Sequence, residues 1–460
     1  MSPSPPLAEV LGEFAARFTL ADAIDRTWLR ERAQLHLLDA VGLALVGWLA
    51  EDGLGDALLG LVGGGGGATI IGRTPPASAP VAALANATLA TAWSYDDIDP
   101  VAVMHCEAFA GAATLAVAEC LGRGGEELAE AFVVAVEVAL RLASAVPGSR
   151  GLYDAGFHST SVFGCLGAAA GAAKLLRLGP DGTADALALA VSFASGTSAG
   201  WTFGSGRNKT LQPGWAAHGG VIAAQLAAAG VGCSHETIDG PRGLLAAHIG
   251  DEGWAAEPVL DGLGARWLLD DLQVKRFPCG SAVQPAAACA HRLHTVDGVR
   301  GEDVTGGVIT VPRHLGSVLG DLGEALYRPA SGVAAMGSFP LVVAALLRDG
   351  RYTLKHRTDA AIRSEGLLAL ADKIAVRAAT GDGDQTSVEI ETGRGRFVTT
   401  AAPESCGREG VVAKFEQNAG LVLAEELVPA IRDTVLDLGA VPDVRRLTGL
   451  LQKASAGRSP

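Results

Sequence analysis

Positive charge is scarce in this chain: 36 Lys and Arg face 50 Asp and Glu, for a formal net charge of −14. Such a surface lacks the basic stripe that phosphate contacts need, so nucleic acid is not an expected partner. It also repels small anions unless a pocket gathers cations locally, which makes any Lys or Arg beside a polar cluster informative. Cysteine frameworks are missing too. The seven cysteines, at 106, 120, 165, 233, 279, 289 and 406, are odd in number, scattered, and form no CxxC pair. They read as reduced, cytosolic thiols and not as bridges, and they do not cluster as metal ligands, so neither zinc nor an iron–sulfur cluster is expected. The N-terminal MSPSPPLAEV lacks a basic segment followed by an apolar one, so no signal peptide is expected. Apolar runs break at Gly or charge before about 20 residues, so no membrane span is expected and the reading is cytoplasmic.

What the chain has in abundance is small apolar residues. Hydrophobic residues are 49%, aromatic residues only 5%, and Ala and Gly dominate. A length of 460 residues exceeds one compact core and implies two or three domains. TWLRERAQLHLLDAVGLALVGW (27–48) has the three- and four-residue apolar spacing of a long helix. GGGGG (63–67) reads as a surface turn and ATIIGR (68–73) as a short extended piece. Ala-rich helices are expected at 79–93, through 107–145, and at 163–176, 185–196 and 213–230. Small residues on so many helices let backbones approach closely, as in a compact bundle. The pattern changes near 270. GGVITVPRH, DKIAVRAA and TSVEIETGRGRFVTTA alternate as strands, the last turning at TGRG, and VAAMGSFPLVVAALL (333–347) reads as a helix between them. The expected organisation is therefore mainly α: a helical domain over 1–270, an α+β domain over 271–405, and a helical return over 406–460.

Five stretches combine polar side chains with turns. WSYDDIDPVAVMHCEAFAG carries Asp96, Asp97 and Asp99 ahead of His105. GFHSTSVFG places His158 before a helix start; GSGRNKTLQPGWAAH places Arg207 and Lys209 before another; KRFPCGSAVQPA places Lys275 and Arg276 before a third; RPASGVAAMGSFP is the fifth. Helix N-termini favour anions, and two of these add cations, so together they suit a small polycarboxylate. Each piece alone also has a plainer reading. Asp99 before Pro100 suits a turn, a single His suits capping or packing, Lys209 and Lys275 suit surface charge, His218 suits a packed helix face, and Cys106 and Cys279 suit core filling.

In order, NATLATAWSYDD…HCEAFAGAATLAVAE, GFHSTSVFGCLGAAAGAAKLL, KTLQPGWAAHGGVIAAQLAAAG, VKRFPCGSAVQPA and SFPLVVAALLRDG resemble the MmgE/PrpD family of 2-methylcitrate dehydratase, cis-aconitate decarboxylase and iminodisuccinate epimerase. The resemblance spans about residue 30 to about 440. It implies a helical domain built from both chain ends, a smaller α+β lid, a homodimer, and cofactor-free proton movement at a carbon next to a carboxylate. By matching motifs it implies catalytic roles for Asp96, Asp97, His105, His158, Lys209 and Lys275. The histidines would be acid and base, and the lysines, with Arg207, would meet negative charge on the substrate. Ser94 and Gln284 fall at substrate-binding positions. Ser94, Ile98, Gln212, Gln284 and Leu341 depart from the family pattern, and several of these changes make the pocket less polar. That implies a bulkier or less charged substrate. Dehydration of a hydroxy polycarboxylate is the expected reaction, with decarboxylation, epimerisation or mere metabolite binding as alternatives.

Overall fold

The structure, a computed structural model, describes residues 5–50, 53–61, 65–147, 151–199 and 207–453. Gly63 and Gly64 of the glycine run, and residues 204–206 ahead of Arg207, lie outside them.

The helical expectations hold in outline. The first long helix is Arg26–Gly47, and Ala79–Ala90, Glu107–Leu121, Gly125–Ser144, Gly164–Leu176, Gly179–Ala190 and Asn208–Ala228 complete the N-terminal bundle. Arg408–Ala419, Leu427–Leu436 and Arg445–Lys453 return to it, and Phe415, Ile431, Leu438, Leu447 and Leu451 join its core. Close helix packing depends on absent side chains. A Cβ on Gly220 would lie 2.5 Å from Ala168 Cβ and 2.6 Å from the Cys165 carbonyl; one on Gly214 would lie 2.1 Å from Thr88 Oγ1. Any larger residue there would push Asn208–Ala228 away from Gly164–Leu176 and Ala79–Ala90, and with it the turn that carries Lys209. Ser159–Leu176 has the length and mean hydropathy (1.2) of a membrane span, which the sequence reading did not anticipate. It is 89% buried inside the bundle, so its apolarity is that of a core segment.

A second core lies between Phe277 and Ile390. Its sheet has the order β2-β1-β3-β4, from strands β1 (Val304–Val311), β2 (Ile374–Ala378), β3 (Thr386–Thr392) and β4 (Gly395–Ala401). β1 runs parallel to β2, with Val308 opposite Ala375, and antiparallel to β3, which turns back at TGRG into β4. Helices Gln284–Thr295 and Phe339–Asp349 pack with the sheet. The helix expected from 333 starts only at Phe339, because the Ser338 hydroxyl caps it by accepting from Leu341 N–H at 3.3 Å and Pro340 occupies its first turn.

Candidate active site

The stretch between Ala79–Ala90 and Glu107–Leu121 is held at both ends. Asp97 accepts from the backbone N–H groups of Cys106 and Glu107, each at 2.9 Å, and so caps the second helix. Ile98 exchanges two backbone hydrogen bonds with Gln273, at 2.8 and 2.9 Å, which brings the segment carrying Lys275 alongside. Asp99 closes its own turn by accepting from Val101 and Ala102 N–H. Ser94 sits at φ +50, in the left-handed region a serine seldom adopts. Its carbonyl accepts from Lys275 Nζ at 3.2 Å, so Ser94 contributes backbone to the site.

Asp96 is the junction. One oxygen lies 3.2 Å from Lys275 Nζ, the other 3.1 Å from His105 Nδ1. That same Nδ1 lies 2.6 Å from the Asp97 carbonyl, which can only accept, so Nδ1 carries the proton and Nε2 is left as the base. The His105 backbone N–H donates to Thr160 Oγ1 at 2.9 Å, tying this segment to the one with His158. The two imidazoles face each other edge-on, centroids 6.0 Å apart. His158 Nδ1 donates to Gln212 Oε1. The Gln212 amide nitrogen donates to the Thr197 carbonyl at 2.9 Å, which fixes the amide's direction and again puts the proton on Nδ1. Lys209, at the start of Asn208–Ala228, lines the same small recess as Ser94, Asp96, His105 and His158.

Burial sets the protonation states. It pulls His105 down to about 4 despite the opposing charge of Asp96, and it pulls His158 well below the imidazole range with help from Lys209. Both rings are therefore neutral at pH 7. Burial disfavours ionised Asp96, but the positive charges around it outweigh this and hold it well below the usual carboxylate range. With His105 neutral, the lasting cations there are Lys275 and Lys209. Asp97 moves the other way, raised by burial and by Asp96. Burial, reinforced by Lys275, brings Lys209 down to about 8. Cys279 is pushed up to about 12 by burial, so its thiol stays protonated.

His105, Lys209 and Lys275 also line a cleft of about 350 Å³ between the helical and α+β domains. Asp96, Asp97, His105, His158, Lys209 and Lys275 thus gather in one place. Arg207 does not line the cleft; it donates to the Ala92 carbonyl at 2.8 Å. Gln284 lines it, yet its amide clamps the neighbouring turn, accepting from Arg276 and Phe277 N–H and donating to the Phe277 and Cys279 carbonyls. Leu341 lies in the second core, and Ile98 lines the cleft.

Three supporting residues escaped the sequence reading. Gln212 entered it only as a departure from a family pattern. Lys414, on the returning helix, donates to Asp39 Oδ2 and the Tyr95 carbonyl, both at 2.7 Å. Arg357, fully buried, donates to the carbonyls of Gly332, Val333, Pro278 and Trp93, joining the α+β domain to the start of the acidic stretch. Helical spacing offered a weak hint for Lys414, a lone cation amid apolar positions; Arg357 gave none.

Among the described residues, two buried groups have the composition of metal ligands: Asp96, Asp97 and His105, and His36, Asp97 and Glu107. In the first, the Lys275 ammonium already lies against Asp96 and would repel a divalent ion. In the second, both Asp97 oxygens accept backbone N–H groups, and His36 Nδ1 lies 3.1 Å from Glu107. These donors suit an internal hydrogen-bond network better than a coordination sphere.

The MmgE/PrpD N-terminal domain family matches residues 9–257 and the MmgE/PrpD C-terminal domain family residues 277–438. A cis-aconitate decarboxylase of Aspergillus terreus is 26% identical over 92% of this chain and 91% of its own length. The cis-aconitate decarboxylase-like protein oryM of Aspergillus oryzae is 25% identical over 83% and 84%, and the human cis-aconitate decarboxylase 28% over 74% and 73%.

Proposed function

The chain belongs to the MmgE/PrpD family, and from that premise we propose that it is a lyase releasing CO2 from an unsaturated polycarboxylate of the cis-aconitate type. The observation that carries this reading is the pairing of neutral imidazoles with Lys209 and Lys275 at a cleft. The names of the relatives favour decarboxylation over the loss of water expected from sequence.

The chemistry follows from the protonation states. A proton adds to the alkene carbon beside one carboxylate. The bond to the allylic carboxylate breaks, its electron pair becomes the shifted double bond, and CO2 leaves. One proton is consumed and no electrons are exchanged with another molecule. Both imidazoles hold their proton on Nδ1, turned into the protein, so the donor is the Lys209 ammonium, whose pKa of about 8 leaves it charged but willing to release at neutral pH. Lys275 uses two of its three N–H donors on Asp96 and the Ser94 carbonyl. The third is available to the carboxylate that stays, where charge builds up in the transition state. Between turnovers the unprotonated Nε2 of His105 or His158 takes up a proton from solvent water and passes it to the Lys209 amine, which restores the ammonium.

A second reading is dehydration of the corresponding hydroxy acid. It is favoured by the Nε2 base of His105, which would remove a proton beside the carboxylate while Lys209 protonates the departing hydroxyl. Incubation with cis-aconitate and with 2-methylcitrate, following CO2 and water loss by mass spectrometry, separates the two. Release of CO2 that disappears in Lys209→Ala and His105→Ala supports the first. Turnover unaffected by either substitution would reject the site.

A further inference from the structure

His105, Lys209 and Lys275 make up a small share of the cleft lining. Beyond them the lining is mostly apolar, with Ile98, Val103, Val274, Val318, Leu322 and Met336 among it, interrupted by polar residues such as Tyr153, Gln273 and Thr386. Val103 is held at φ +51, costly for a β-branched residue, and it is one of the lining residues. At the exposed mouth stand Asp384 and Glu404. Among the described lining residues, Lys209 and Lys275 are the only lysines, and there is no arginine. A second carboxylate placed away from the lysines would therefore meet mostly apolar walls and then a rim where exposed His314 stands with the two carboxylates of Asp384 and Glu404. An alkyl chain would meet surface that favours it.

We propose that the substrate is a polycarboxylic acid bearing a linear alkyl chain, with its carboxylates at Lys209 and Lys275 and the chain lying along Val103, Val318 and Leu322. This rests on the lyase reading of the same site and adds the class of acid it takes. Chain burial strengthens binding with each methylene, about fourfold, until the chain reaches the mouth. The anionic rim then selects against chains ending in a carboxylate.

The test is a homologous series: cis-aconitate and its alkyl-substituted analogues from methyl to hexyl, with ω-carboxyalkyl analogues as the charged control, assayed on the full chain. The expected result is a kcat/KM that climbs about fourfold per methylene and falls for the carboxy-terminated chains. Val318→Asp should flatten that dependence on chain length, whereas Val318→Leu should keep it. If the short acid is turned over and chain length changes nothing, or lowers kcat/KM, the chain subsite is wrong and the lyase reading stands. If no acid is turned over, the lyase reading fails and the same series is read by thermal shift. A Tm gain that grows with chain length and is lost in Val318→Asp then upholds the subsite; an unchanging Tm overturns it.

Discussion

Gln212 accepts the Nδ1 proton of His158 while its own amide nitrogen is held by the Thr197 carbonyl at 2.9 Å. The outer bond decides the inner one: a flipped amide would set its oxygen against the Thr197 carbonyl, two acceptors face to face. Gln212→Leu should leave the fold intact and lower kcat roughly tenfold, the value of one well-placed hydrogen bond in the transition state. Gln212→Glu should behave differently. A carboxylate at that position favours the imidazolium, so an acid limb should appear in the kcat profile at higher pH than in the parent enzyme. Steady-state kinetics across pH, with circular dichroism as a fold control, distinguish these outcomes.

Lys209 should write its own pKa into the pH profile. Its proton is present below about 8 and lost above, so kcat/KM should hold level through neutrality and decline as pH rises through about 8. The same shift bears on stability. The folded value of about 8 lies below the ordinary 10.5, so between them the unfolded chain binds more protons and stability rises with pH. At pH 7 the full penalty, on the order of 3 kcal/mol, is in force. Lys209→Met should therefore abolish turnover and raise Tm together. A Tm that falls would mean the lysine is compensated in the resting enzyme.

Asp96 joins a cation to an imidazole, and removing its charge exposes both. Asp96→Asn leaves the buried Lys275 ammonium without its counter-charge, a loss of about 3–5 kcal/mol for a broken buried pair. Denaturant unfolding should show a lower midpoint with an unchanged slope. Activity should fall by more than stability explains, since Lys275 and the His105 ring lose their common anchor.

Lys414 and Asp39, 2.7 Å apart and both buried, connect the returning helix Arg408–Ala419 to the first long helix and to Tyr95. Lys414→Met alone should cost about 3–5 kcal/mol by stranding Asp39. The double variant Lys414→Met with Asp39→Leu should recover a large part of that stability, because no unpaired charge remains. It should not recover full activity, because the Tyr95 carbonyl, one residue before Asp96, has lost its donor. A double-mutant cycle on stability, run beside kcat, checks both statements.

Much of this was legible along the chain. The β3–β4 hairpin announces itself in TGRG between alternating residues, and the helices in their three- and four-residue spacing, because both signals are local. The start of Phe339–Asp349 was misjudged by several residues because apolar periodicity continues across Ser338, where the cap ends it. The gathering of His105, His158, Lys209 and Lys275 rested on resemblance to a family, since their spacing in the chain carries no information about distance. Arg207 and Gln284 carried the right chemistry for a pocket, and in the structure both also hydrogen-bond to backbone carbonyls. A polar side chain reads the same whether it faces a ligand or a neighbouring carbonyl.

By itself the sequence determined the helical and α+β division, the family, and the kinds of group available for proton chemistry, since composition, periodicity and motif order are properties of the chain. Only the tertiary structure decided which ring nitrogen keeps its proton, that Lys209 titrates near neutrality, and that Lys414 and Arg357 brace the acidic stretch from far along the chain. Those depend on burial and on partners brought together only when the chain packs, for Lys414 and Arg357 from hundreds of residues away.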